Sequence, residues 1–85
     1  MPRYHFHSTD ETRDFDGEGV VLADEAAAQR MTTTYAGEVL RNEPATIWTR
    51  GPFRVEVTDG AGMLLWTVVT LAVIPPQPKP ILLSD

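Results

Sequence analysis

Polar and apolar residues alternate from the start of the chain, where Tyr4 and Phe6 interleave with Arg3, His5 and His7, the period of two that marks a strand with one buried face. The aromatics are expected to point inward. Beyond the polar stretch STDETRDFDGEG, the run Gly19 to Leu22 reads as a second strand, which makes residues 3–22 a hairpin with a long or irregular turn. Acids collect in that turn. From Ala23 the period changes. Asp24 is placed to cap a helix, Glu25 stands in its first turn where the helix dipole favours an acid, and Pro44 marks its end, so a helix is predicted over about residues 25–42. Ala28, Met31, Tyr35 and Val39 fall at spacings of three and four on one apolar stripe, with Arg30, Glu38 and Arg41 off it. Thr32, Thr33, Thr34 and Gly37 are poor helix formers, so packing rather than propensity must hold the middle turn.

After a connection that carries Trp48, the residues Phe53, Val55 and Val57 alternate with Arg54 and Glu56, Asp59-Gly60-Ala61-Gly62 reads as a turn, and a run from Met63 to Ile74 follows. That is a second hairpin. The final run has only Thr67 and Thr70 as polar members over twelve residues, well short of the roughly 20 that span a bilayer. It reads as a strand that wants cover on both faces. Residues 75–85, PPQPKPILLSD, form an extended, polyproline-like tail.

Strand, strand, helix, strand, strand implies an α+β domain over residues 1–74, an antiparallel four-stranded sheet with one helix packed on one face (β-β-α-β-β). One helix covers one face only. Tyr4, Phe6, Val55 and Val57 are expected to meet it, leaving His5, His7, Arg54 and Glu56 on the open face. There the fourth strand shows either Leu65, Thr67 and Val69 or Leu64, Trp66 and Val68, apolar enough to expect a partner or the folded-back tail over it.

Composition narrows the function classes. At 85 residues the chain is one small domain, able to bury only about 60% of its unfolded surface. It has no cysteine, which excludes a disulfide framework, a thiolate nucleophile and a cysteine zinc site, and suits a reducing, cytoplasmic compartment. The first twenty residues hold five acids and no apolar run, so no secretory signal is expected. Net charge is −5, and residues 1–43 carry the whole excess, nine acids against four arginines. With a single lysine and a pI near 4.8 there is no basic stripe to neutralise phosphates, and nucleic acid is not an expected partner.

Two patterns suggest a metal. His5 and His7, two apart on a strand, project from one face roughly 7 Å apart at their backbones, close enough to share a zinc ion. A third ligand would have to come from Asp10, Glu11, Asp14 or Asp16, which form no spacing signature; the pair reads more simply as the polar face of an amphipathic strand. Asp14, Asp16, Glu18, Gly19, Val21 and Glu25 fall at positions 1, 3, 5, 6, 8 and 12 of a calcium loop, with Glu18 the departure from its pattern. Against calcium stand the preceding strand where that loop has a helix, the lack of a second loop, and Leu22 at position 9. Turn glycines at 17 and 19 and a helix cap at Asp24 explain the same residues.

Catalysis finds no nucleophile elbow, phosphate loop or dinucleotide fingerprint. Trp48 and Trp66 fit core or interface anchors better than a stacking platform. The P-x-x-P spacing in PPQPKP suits a linker or arm.

Three stretches taken together, MPRYHFH, DGEGVVLADEAAAQR and FRVEVTDGAGMLL, resemble a family of small bacterial proteins of unknown function, common in alphaproteobacteria, whose members open with Met-Pro-Arg-Tyr, an aromatic and a histidine. The likeness covers about residues 1–72 and includes Val57, Asp59 and Gly62 of the second hairpin. It implies the fold, and no activity, cofactor or catalytic residue. The threonine-rich helix centre and the proline tail depart from it. The expectation is therefore a non-enzymatic interaction module without a cofactor, self-associating as a homodimer or binding another protein, with a calcium- or zinc-binding domain as the alternative.

Overall fold

A computed structural model of the chain describes residues 1–9, 13–14 and 16–81, the side chains of residues 9, 13 and 14 excepted. In chain order the elements are β1 (Arg3–Thr9), β2 (Arg13–Asp14), β3 (Val20–Val21), α1 (Glu25–Asn42), α2 (Thr46–Thr49), β4 (Phe53–Asp59) and β5 (Leu64–Thr70). The strands make one antiparallel sheet of four positions, because β2 and β3 share the edge beside β1. Across the sheet the order is β2/β3, β1, β4, β5. The expected α+β arrangement is present, with α1 as its main helix.

Local chemistry accounts for the ends of α1. The Asp24 carboxylate accepts the Ala27 N–H at 2.9 Å, one of the amide donors that a helix start leaves without a partner. At the other end the Glu43 N–H reaches the Val39 carbonyl at 3.0 Å, and Pro44 follows. Between β4 and β5 a single residue organises the turn. Asp59 Oδ1 accepts the N–H groups of Ala61 and Met63, both at 2.9 Å, and Gly62 takes a φ of 84°, the left-handed region that glycine enters without strain.

The core lies between α1 and the sheet. Tyr4, Phe6, Phe53, Val55 and Val57 from the strands meet Ala28 and Ala36 of the helix. One expectation is corrected here. The centre of the helix face is Ala28, Thr32 and Ala36, all buried, whereas Met31 is exposed and Tyr35, Val39 and Leu40 flank the contact. Small residues four apart let the helix axis come close to a sheet that carries four aromatic rings on this face, Tyr4, Phe6, Phe53 and Trp66, and a methionine on that line would hold it off.

Pairing also settles which side of β5 faces the helix. Val57 opposes Trp66 and Val55 opposes Val68, so Trp66 and Val68 pack on the core while Leu65, Thr67 and Val69 look outward. A bulge between Val57 and Thr58 shifts the register, bringing Leu64 opposite Thr58, and adds local twist.

Candidate functional site

The edge beside β1 is built from two short strands, β2 and β3, where the sequence predicts one strand over Gly19 to Leu22 after a long, irregular turn. Ser8 pairs with Asp14 and Tyr4 with Val20, so three residues of β1 are matched by five on the edge. The surplus is taken up around Asp16, and there the two histidines are held.

His5 and His7 rise from the open face of β1 with ring centroids 6.3 Å apart and planes within 5°. The peptide groups of Asp16 bridge them. Its N–H donates to His7 Nδ1 and its carbonyl accepts from His5 Nδ1, each at 3.0 Å. These partners fix opposite tautomers. His7, accepting at Nδ1, carries its proton on Nε2 and donates to Thr58 Oγ1 at 3.0 Å. His5 carries its proton on Nδ1 and keeps its lone pair on Nε2.

The Asp16 carboxylate is equally engaged. Oδ2 accepts the Phe6 N–H at 3.1 Å, and Oδ1 accepts those of Glu18 at 3.2 Å and Gly19 at 3.0 Å. Partial burial pushes this carboxyl up, but the amides of Gly19, Phe6 and Glu18 outweigh it and hold the group below the usual carboxylate range. Gly19 has a φ of 74°, and a Cβ there would lie 2.8 Å from both the His5 ring and the Tyr4 carbonyl. Nothing larger than glycine fits.

Together these contacts form a latch that ties residues 16–19 to β1. Arg3 adds to it by donating to the Glu18 carbonyl at 2.8 Å. Of the sequence candidates, the structure brings together His5, His7 and Asp16; the Glu18 side chain is exposed, and Glu25 stands in the first turn of α1. Asp10 and Glu11 lie outside the described residues, as does the Asp14 side chain. Among the described residues, no group of three or more His, Cys, Asp or Glu is placed to hold a metal ion.

Beside the histidines lies a shallow cleft of about 490 Å³, bounded by Asp16, Glu56, Thr58 and Asp59. Its Thr58 and His7 have the distance of a hydroxyl and its base but the opposite proton arrangement. A base that activates a hydroxyl needs a lone pair facing it, and His7 presents an N–H to Thr58 because its other nitrogen is occupied by a backbone donor.

On the far side of the sheet, β5 is the outermost strand. Its outer N–H and C=O groups meet no strand among the described residues. From Met63 to Ile74 there is no charge, and Leu64, Val69 and Leu71 are each more than half exposed. The tail over its described length is itself exposed from Pro76 onward, with Ile81 at 80%. The two tryptophans divide: Trp66 is packed on the core, and Trp48 of the one-turn α2 stands 65% exposed. Among the described residues no helix is long and apolar enough to cross a membrane.

A family model described as a domain of unknown function (DUF6894) matches residues 3–72, a span that takes in the strands and helices of the described residues. No curated protein and no solved structure matches the chain.

Proposed function

The chain belongs to the DUF6894 family, and from its uncovered outer strand we propose that it is a non-enzymatic protein-interaction module that takes a partner on β5. The observation that carries this reading is one strand whose outer backbone meets no strand among the described residues, with no charge along twelve residues and exposed leucine and valine beside it. Such an edge is a template for strand addition, in which backbone hydrogen bonds supply affinity and alternate side chains supply selectivity. Natural sheets usually blunt such an edge with lysine, proline or a break in the strand. Among the described residues the opposite edge is broken at the Asp16 latch, whereas β5 carries a single bulge at Leu65.

A calcium or zinc site has weaker support, because the Asp16 oxygens already accept three amides and both histidines are bonded through Nδ1. A cytoplasmic location and a bacterial origin accord with the acidic, cysteine-free composition and with the sequence resemblance.

Photo-crosslinking in the producing cells tests the proposal. A benzophenone side chain placed at Leu65 or Val69 should give covalent adducts of defined mass, and one placed at Gln29 on the exposed side of α1 should not. No adduct from either β5 position would overturn it.

A further inference from the structure

We propose that the partner on β5 is a second copy of this chain, paired antiparallel about a two-fold axis at Thr67, so that two sheets join into one continuous sheet of eight positions. This rests on the reading of β5 as a docking edge and names its occupant.

Charge is the first argument. The chain carries −5 overall, and two copies repel unless they meet where that charge is absent. β5 is such a place. Its nearest charged neighbours are Arg54 and Glu56, one strand inward opposite Val69 and Thr67 and of opposite sign, and Asp59, whose carboxylate is turned to the Met63 N–H at the end of the edge. Asp16, Glu18, Asp24 and Glu25 belong to the segment between the other edge and the start of α1. Net repulsion between copies is therefore least when the β5 edges face one another.

Self-complementarity is the second. Thr67 is the midpoint of Leu64–Thr70, so an antiparallel pair centred there uses the whole strand. Leu65 then faces Val69 of the other copy, Trp66 faces Val68, and Thr67 faces itself. Leu64 faces Thr70 at the two ends, and the inner pairs set apolar against apolar and hydroxyl against hydroxyl, pairings that stabilise antiparallel ladders. Continued by one step beyond the pairs, the register sets Leu71 opposite Met63, 53% and 64% exposed in the single chain. No residue between Met63 and Ile74 is a proline or carries a charge, and the bulge at Leu65 lies towards one end of the strand.

The absence of native cysteine allows a direct test. Directly opposed residues have Cβ atoms about 4.5–5.5 Å apart, near enough for a disulfide to close with a small adjustment. Native mass spectrometry of the unmodified chain over a concentration series should show a dimer. Under mild oxidation Thr67→Cys should link to itself, while Leu65→Cys and Val69→Cys should each stay unlinked alone and link when mixed. A chain that stays monomeric throughout the series would overturn the proposal. Self-linkage of Leu65→Cys, or linkage as efficient from Gln29→Cys, would overturn the Thr67 axis. The mass spectrum needs no variant, so a misfolded mutant cannot obscure the result. Monomeric protein with in-cell adducts to a different protein from positions 65 and 69 would remove this proposal and leave the broader function standing; no adducts of any kind would remove that function itself.

Discussion

Trp66 and Thr32 are joined across the helix–sheet interface: the indole Nε1–H donates to the threonine Oγ1 at 3.0 Å, and that hydroxyl donates in turn to the Ala28 carbonyl at 2.7 Å. Thr32 has no solvent exposure. A buried indole N–H must have an acceptor or carry the cost of desolvation, and this hydroxyl supplies it while the tryptophan ring packs 6.2 Å from Tyr4.

Thr32→Val keeps the shape and deletes the acceptor. It should cost about 1–3 kcal/mol, and each kcal/mol lowers the melting temperature of a domain this small by about 4–8 °C. Thr33→Val, on the exposed side of α1, should change stability by less than about 0.5 kcal/mol. In a Trp66→Phe background the Thr32→Val cost should shrink. Thermal unfolding followed by circular dichroism reads all three, and an undiminished cost in that background would show that the hydrogen bond contributes nothing.

Gly19→Ala should destabilise far more than Gly17→Ala. At 19 the backbone has positive φ and the new methyl meets His5 and Tyr4, whereas at 17 nothing lies within 4 Å. A positive-φ penalty of order 1 kcal/mol combines with a clash that must push the latch off β1. Urea titrations of the two variants decide it; equal midpoints would remove the latch as a structural constraint.

Asp16 sets a direction for acid stability. Its folded pKa lies below the usual value, so the native state binds fewer protons than the unfolded chain and stability rises with pH across that window. The contribution is in full force above about pH 4, the ordinary carboxylate value, and is lost as pH falls through the lower folded pKa. Asp16→Asn should therefore flatten the acid limb of melting temperature against pH. An unchanged limb would assign the acid sensitivity to other carboxylates.

Excess calcium or zinc should leave the melting temperature unmoved. An ion that binds only the native state at a hundred times its dissociation constant adds about 2.7 kcal/mol, a shift too large to miss. A rise with either ion would reverse the ranking of the two functional readings.

Capping and proline chemistry mark α1 so plainly that its residues, Glu25–Asn42, can be read from the chain, and alternation gives β1 and β4 with their inward residues. The helix face is harder to read, because hydropathy scores Thr32 as polar; its burial depends on Trp66, 34 residues away, a neighbour that no local period contains. The latch escapes for another reason. Asp16 grips the histidines through its own backbone N–H and carbonyl, and side-chain patterns are silent about backbone partners. The spacing Asp16-Gly17-Glu18-Gly19 does offer a clue, since an aspartate shortly before a glycine is a turn signal, but the same letters also suit a calcium loop. At β5 the sequence supplies the apolar run, and only the pairing of Val57 with Trp66 decides which half of it looks outward.

The two central strands of the sheet are also the paired strands most distant in sequence, for β1 lies against β4 with Tyr4 opposite Asp59. Everything between them, the latch, α1 and α2, is a closed loop whose entropy is spent before the core exists. Folding should accordingly be paced by that one long-range meeting, with the β4–β5 hairpin forming early around Asp59. Cutting the chain at the exposed Arg50 would leave two fragments, neither of which owns a core: one carries the helix and Tyr4, the other the valines they bury. Mixed together, they should complement each other into the native sheet.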